Sequence, residues 1–168
     1  LAKKLTKTHD WQTHSDCEVL LYLYDEFGSE FLNDMDGIFA FCLYDPKTEE
    51  YFIARDHIGI IPLYMGWDSN GTFYVASELK ALEGKCNKIE LFPPGNYFSS
   101  KTKKLVKWFN PDWLSYNSVK NNKTSIKNLH NSLSDAVYRQ LMSDVPYGVL
   151  LSGGLDSPIT SALAKKFS

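Results

Sequence analysis

Gly37-Ile38-Phe39-Ala40-Phe41-Cys42-Leu43-Tyr44-Asp45-Pro46-Lys47-Thr48-Glu49-Glu50-Tyr51-Phe52-Ile53-Ala54-Arg55 is the stretch on which the fold turns. Gly37 to Asp45 is a nearly continuous apolar run and predicts a strand buried on both faces. Pro46-Lys47-Thr48 turns the chain, and Tyr51 to Arg55 predicts the returning strand. Upstream, Ser15-Asp16-Cys17-Glu18 has the spacing of a capping box, with Ser15 as N-cap and Glu18 three residues on. Val19, Leu20, Leu23 and Phe27 follow at helical spacing, and Gly28 stops the helix. Phe31, Leu32 and Met35 suggest a short second helix. Downstream, Ile61–Trp67 and Thr72–Ser77 flank Ser69-Asn70-Gly71, a hairpin signal. Ser77–Leu82 opens a short helix. Asn96-Tyr97-Phe98 pairs with Leu105–Trp108 across the lysine-rich tip 101–104. Residues 1–109 therefore predict a mostly antiparallel α+β domain.

Residues 110–123 are polar and aperiodic, with Pro111, Asn117, Asn121 and Asn122, and read as a linker. From 124 to 168 a second pattern begins. Thr124 or Ser125 caps a helix whose apolar face is Ile126, Leu129, Leu133, Val137 and Leu141. Val149-Leu150-Leu151 predicts a buried strand. Ser152-Gly153-Gly154-Leu155-Asp156-Ser157 turns into a helix carrying Ile159, Ala162, Leu163 and Phe167. Glycines let the backbone approach a ligand, and the first amides of a helix have no internal partner. With the Ser152 and Ser157 hydroxyls they form a cradle for phosphate. Asp156 repels phosphate, so it suits a cap or a Mg²⁺ ligand bridging to phosphate oxygens. The alternative is an ordinary strand–turn–helix corner. No Walker A lysine is present, and Leu150 stands where a nucleophile elbow around Ser152 needs a small residue.

The chain has 168 residues, 43% of them hydrophobic, and a net charge of −2. That balance gives no reason to expect a nucleic acid partner. No apolar run is long enough to span a membrane. The three cysteines, Cys17, Cys42 and Cys86, fit neither a disulfide framework nor a zinc pattern, so a reducing, cytoplasmic setting is expected. Cys42 is read as core, and Cys17 as an inert thiol in a helix first turn. The histidines His9, His14, His57 and His130 have no metal spacing.

The Ser152–Ser157 loop resembles the pyrophosphate loop of the ATP pyrophosphatase family. The longer run Ser143–Ser157 resembles the start of the synthetase domain of the glutamine-hydrolysing asparagine synthetase family, with Pro158 a departure. Earlier stretches resemble that family's amino-terminal glutaminase domain: Ser15–Glu18, Asp36–Phe41, Arg55–Tyr64, Ala76–Leu82 and Phe92–Gly95. The resemblance implies an Ntn-hydrolase-like fold for residues 1–109, incomplete, then the first βα unit of an α/β ATP-pyrophosphatase domain in 124–168. It implies glutamine hydrolysis by an amino-terminal cysteine, with ammonia passing through a tunnel to an aspartyl adenylate made from aspartate and ATP.

By resemblance, Asp16 binds the amino group of glutamine; from the residues alone the preferred reading is a first-turn carboxylate favoured by the helix dipole. Leu150, Ser152, Gly153, Gly154, Asp156 and Ser157 bind ATP and its pyrophosphate, with Asp156 a candidate Mg²⁺ ligand. Ile38 and Ile60 approach the tunnel, or are plain core. Arg55 and Asp56 read as a buried pair organising a turn. The catalytic cysteine is absent from the chain, which reads as a fragment cut at both ends and is expected to be inactive as given. The small-molecule partners are glutamine, aspartate and ATP, and a homodimer is left open. Competing readings are a ligase of β-lactam-synthetase type on another carboxylate, a serine hydrolase using Ser152, and a non-catalytic scaffold.

Overall fold

The computed structural model describes residues 1–143 and 145–167. Asp144, inside the run compared above, and Ser168, where the last helix was read to stop, lie outside the described residues. The chain divides into two compact units, Leu1–Leu114 and Ser115 onward.

In the first unit, α1 (Glu18–Phe27) leads through a 3₁₀ segment (Gly28–Asp34) into seven strands. These are β1 (Ala40–Asp45), β2 (Glu50–Arg55), β3 (Tyr64–Trp67), β4 (Phe73–Ala76), β5 (Lys88–Leu91), β6 (Asn96–Ser99) and β7 (Lys104–Lys107). One sheet runs β1-β2-β6-β7 and the other β4-β3-β5, and every pairing is antiparallel. The returning strand sets the layers. Phe52 and Ala54 face Leu20, Leu23, Phe31 and Leu32 from α1 and the 3₁₀ segment. Ile53, on the opposite face by the period of two, packs with Leu63, Met65 and Phe92 of the second sheet. The order is helix, sheet, sheet.

β1 departs from expectation. It is an edge strand: Phe41 and Leu43 pack toward α1, while Cys42 and Tyr44 are exposed. An apolar run announces two greasy faces, and here the second faces an open cavity of about 800 Å³ whose walls include Ala40, Cys42, Tyr44, Ile53, Phe73 and Val75. Cys42 is thus not core. Its apolar surroundings push the thiol pKa up, against thiolate formation.

Arg55 and Asp56 are buried at the end of β2, but they do not pair with each other. Arg55 donates from Nε to the Ile61 carbonyl (2.8 Å), from Nη1 to Phe92 (2.6 Å) and from Nη2 to Gly59 (2.8 Å). Asp56 Oδ1 accepts from the amides of Ile58 (3.0 Å), Gly59 (2.6 Å) and Ile60 (3.3 Å). Together they knit the 57–63 loop. Gly59 has φ +75°, and a Cβ there would lie 2.7 Å from Pro94 Cγ and 2.9 Å from Arg55 Cζ. Ile38 and Ile60, carried by the segments so fixed, are both largely exposed, so neither is core.

In the second unit, α2 (Tyr116–Val119) precedes α3 (Ile126–Arg139) and α4 (Asp156–Phe167). Ser125 caps α3, its Oγ accepting from the Asn128 amide at 3.1 Å. Val137, Leu163 and Ala164 form a small core with Leu141 against it. The rest of the α3 stripe, Ile126, Leu129 and Leu133, is exposed. Val149-Leu150-Leu151 is not a strand, and Leu150 is 92% exposed. A strand needs a ladder partner, and the described residues provide none for it.

Candidate functional site

Two loops carry the residues singled out by sequence, one in each unit. In the first, the expected capping box does not form. The N-cap position of α1 is Cys17 and has no side-chain cap. Ser15 closes a local turn instead: its Oγ accepts from the Cys17 amide (3.2 Å) and its carbonyl from the Glu18 amide (3.3 Å). Asp16 stands at the tip of this turn, exposed, with the Cys17 thiol 3.6 Å from its Oδ1.

The Glu18 carboxylate, buried, turns upstream. Oε1 accepts from the Gln12 amide (2.7 Å) and the Tyr22 hydroxyl (2.9 Å). Oε2 accepts from the Thr13 amide (2.7 Å) and hydroxyl (2.6 Å). Two turns on, Glu26 repeats the device. It accepts from the Thr6 amide (2.9 Å) and hydroxyl (2.6 Å) and the Lys7 amide (3.1 Å), and bonds His9 Nε2 at 2.7 Å. Between them the Tyr22 hydroxyl shares its one proton between Glu18 Oε1 and the Asp10 carbonyl, each at 2.9 Å, and the ring stacks on His9. Glu18, Tyr22 and Glu26 form an i, i+4, i+8 row, so one face of α1 holds residues 6–13 as a strap. The Thr13 hydroxyl, ahead of the Gln12 amide, pulls the Glu18 pKa down to about 2; the Thr6 hydroxyl is first to do the same for Glu26, also to about 2. Sequence reading missed the strap. The row of three polar residues on a helix otherwise packed on a sheet was the available signal.

The second loop is Ser152–Ser157 at the start of α4. Gly153 has φ +81°, and the nearest heavy atom to a Cβ on Gly154 would be Ser152 Oγ at 3.8 Å. The two serines close the loop: Ser152 N donates to Ser157 Oγ at 3.1 Å, and the hydroxyls lie 2.9 Å apart. Asp156 is the first residue of α4, and its carbonyl accepts from the Thr160 hydroxyl. Leu150, Ser152, Gly153, Gly154 and Asp156 are all exposed. Among the described residues no cluster of three or more His, Cys, Asp or Glu could hold a metal by itself, and no helix is long and apolar enough to cross a membrane.

A family model described as a glutamine amidotransferase domain matches residues 1–105, and one described as asparagine synthase matches residues 128–168. Asparagine synthetase B [glutamine-hydrolyzing] of Escherichia coli (strain K12) is 54% identical over 160 residues, 95% of this chain and 29% of that protein. The glutamine-hydrolyzing asparagine synthetase of Zea mays is 46% identical over 164 residues, 98% of this chain and 28% of that protein. The chain thus spans less than a third of the length of these relatives. Among solved structures, the glutamine phosphoribosylpyrophosphate amidotransferase of B. subtilis, complexed with ADP and GMP, superposes with a TM-score of 0.55 at 20% identity, over 98% of this chain and 41% of that one. At that identity the likeness is one of fold. With well over half its residues matched by the first model, the chain belongs to the glutamine amidotransferase domain family, and its similarity to glutamine-hydrolysing asparagine synthetases extends over nearly its whole length.

Proposed function

We propose that this chain is a segment of a glutamine-hydrolysing asparagine synthetase. The observation that carries the reading is the 54% identity over 95% of the chain, running through both the amidotransferase and the asparagine synthase segments in that order. In the whole protein, glutamine would be hydrolysed to glutamate and ammonia, and ammonia would displace AMP from a β-aspartyl adenylate. Asp16 would receive the ammonium group of glutamine, since an exposed carboxylate at a turn tip is a ready acceptor for a charged donor.

The Ser152–Ser157 loop fits a pyrophosphate on physical grounds. The positive φ of Gly153 and the open side of Gly154 expose backbone amides, α4 presents its first turn, and two hydroxyls stand beside them. Leu150 is exposed where an adenosine face would lie. Asp156 offers one carboxylate to a Mg²⁺ whose remaining ligands would be phosphate oxygens and water. ATP supplies the activation of the aspartate carboxylate, with AMP and pyrophosphate as products. Three free cysteines suit a reducing, cytoplasmic setting.

The test is product analysis on the full-length protein given glutamine, aspartate, ATP and Mg²⁺. Asparagine, glutamate, AMP and pyrophosphate are expected in equal amounts. ADP and phosphate in place of AMP and pyrophosphate, or adenylation of a different carboxylate with no asparagine formed, would reject the reading; the second outcome would favour a ligase of β-lactam-synthetase type.

A further inference from the structure

The chain that carries Asp16 is held on both sides by hydrogen bonds that lead back to one side chain. The Glu18 carboxylate takes the Thr13 amide and hydroxyl at 2.7 and 2.6 Å, and the Gln12 amide at 2.7 Å. The same Thr13 hydroxyl oxygen accepts from the Ser15 amide at 3.1 Å. Ser15 in turn accepts from the amides of Cys17 (3.2 Å, at Oγ) and Glu18 (3.3 Å, at the carbonyl). The bonds close a ring, 18 to 13 to 15 to 17 and 18, which spans Asp16 without using its side chain. Both of its neighbours are fixed by their amides, while among the described residues its own carboxylate receives only the weak thiol donor of Cys17 at 3.6 Å. A braced backbone carrying an uncommitted carboxylate is what ammonium recognition requires, because misplacement by an ångström forfeits most of a charged hydrogen bond.

We propose that Glu18 is a positioning residue for glutamine: through Thr13 and Ser15 it sets the turn from which Asp16 meets the substrate's ammonium group. The proposal rests on the reading of Asp16 given above. A helix first-turn glutamate has no need of these partners, since its charge already suits the helix dipole from an exposed position. Burial of the carboxylate with bonds to Gln12, Thr13 and Tyr22 shows it serving the loop rather than the helix end. Glu26 provides an internal control. It makes the same kinds of bond from the same face of α1, but to Thr6, Lys7 and His9, two turns along the helix from Glu18.

The experiment is steady-state glutaminase kinetics on the full-length protein, with ammonia-dependent asparagine synthesis measured alongside. Glu18→Gln is expected to raise KM for glutamine about tenfold with kcat within roughly twofold, and to leave the ammonia-dependent rate unchanged. Glu26→Gln should leave KM within roughly twofold of the parent. Thr13→Val, at an exposed residue, removes the hydroxyl that joins Glu18 to Ser15 while the carboxylate keeps its bonds to the Gln12 and Thr13 amides, and should raise KM about threefold. It decides the matter alone should Glu18→Gln fail to fold. Asp16→Asn separates the two levels of inference. If it raises KM while Glu18→Gln and Thr13→Val do not, or if Glu26→Gln matches Glu18→Gln, the positioning role is overturned and the Asp16 reading stands. If Asp16→Asn itself leaves KM unchanged, the reading of Asp16 falls and the positioning role falls with it.

Discussion

The two units have equally clean hydrophobic patterns and very different interiors. β2 is covered on both faces, by α1 with its 3₁₀ extension on one side and by the second sheet on the other, so Phe52, Ile53 and Ala54 are all buried. α3 has a stripe at the right spacing, yet Val137 is buried while Ile126 is 89% exposed. Periodicity dictates a helix and names its apolar side. Burial needs a second surface, which within its own unit α3 finds only near its C-terminal end, against Leu163 and Ala164 of α4. The candidate loops differ in the same way. The Asp16 turn is tied to a strap and a buried carboxylate, whereas among the described residues the Ser152–Ser157 loop is closed by its own two serines.

The comparison is broken most decisively by truncating the hub of the first unit. Phe52 is buried among Tyr24, Phe31, Phe41 and Tyr97. Phe52→Ala removes aromatic area from both the helix and the sheet side of that cluster, and should destabilise the first unit by about 4 kcal/mol, read from urea unfolding. A loss below about 1.5 kcal/mol would mean that the helix–sheet layer is not the load-carrying core of this unit.

Asp56→Ala comes next. Its carboxylate satisfies the amides of Ile58, Gly59 and Ile60, and Oδ2 lies 3.4 Å from the Phe39 amide. Removing this buried carboxylate takes away the one acceptor shared by the three amides of a partly exposed turn, at a cost of about 3 kcal/mol. Asp156→Ala, on an exposed loop, should cost less than about 1 kcal/mol, mostly through the helix dipole. Equal costs at the two positions would erase the contrast between the braced loop system and the self-closed one.

Much of this was legible in the sequence, for identifiable reasons. The strands at 51–55, 64–67, 73–76 and 96–99 announce themselves because turn residues flank apolar alternation. β5 escaped because Lys-Ile-Glu-Leu holds only two apolar residues in alternation, too few to announce a strand. β1 was read as buried twice over, since an apolar run cannot say whether a second layer reaches it. Ser15-x-x-Glu18 has capping-box spacing, but spacing does not say which donor a carboxylate will choose. Here the chain doubles back, and the Gln12 and Thr13 amides are nearer than the N-cap amide. Arg55 ends β2 and Asp56 is the first residue beyond it; the guanidinium is taken by the Ile61, Phe92 and Gly59 carbonyls and the carboxylate by the Ile58, Gly59 and Ile60 amides, which adjacency in sequence does not reveal. The roles of Asp16 and of the Ser152–Ser157 loop came from resemblance; physics alone allows both to be ordinary helix starts.

Acid should act on the first unit through the strap. Glu18 and Glu26 have pKa values near about 2 in the folded chain against an ordinary 4.5. A depressed folded pKa means that the unfolded chain binds protons first, so the stabilisation is complete above about pH 4.5 and is lost as pH falls toward about 2. The urea midpoint of the parent should therefore drop across that window. The Glu18→Gln, Glu26→Gln double variant should start lower at neutral pH and change less. Parallel curves for the two proteins would show that the strap carboxylates are not the titrating groups.

The smallest expected effect probes the second unit. Leu129 is on the predicted α3 stripe, one turn from Ile126 and one from Leu133, and is 64% exposed. In the first unit a leucine at an equivalent stripe position, Leu23 on α1, is buried, and its loss would open a cavity. At Leu129 there is little burial to lose. Leu129→Ser should change the stability of this chain by no more than about 0.5 kcal/mol, the helix propensities of the two residues accounting for most of it. Hydrogen exchange of the α3 amides in parent and variant measures this directly, without reference to the first unit's unfolding. A slowing of exchange, or no change, is consistent with an uncovered stripe. A tenfold or greater acceleration corresponds to about 1.4 kcal/mol and would show that the stripe is covered in solution by a surface the chain itself supplies, so that the contrast between the two interiors would no longer hold.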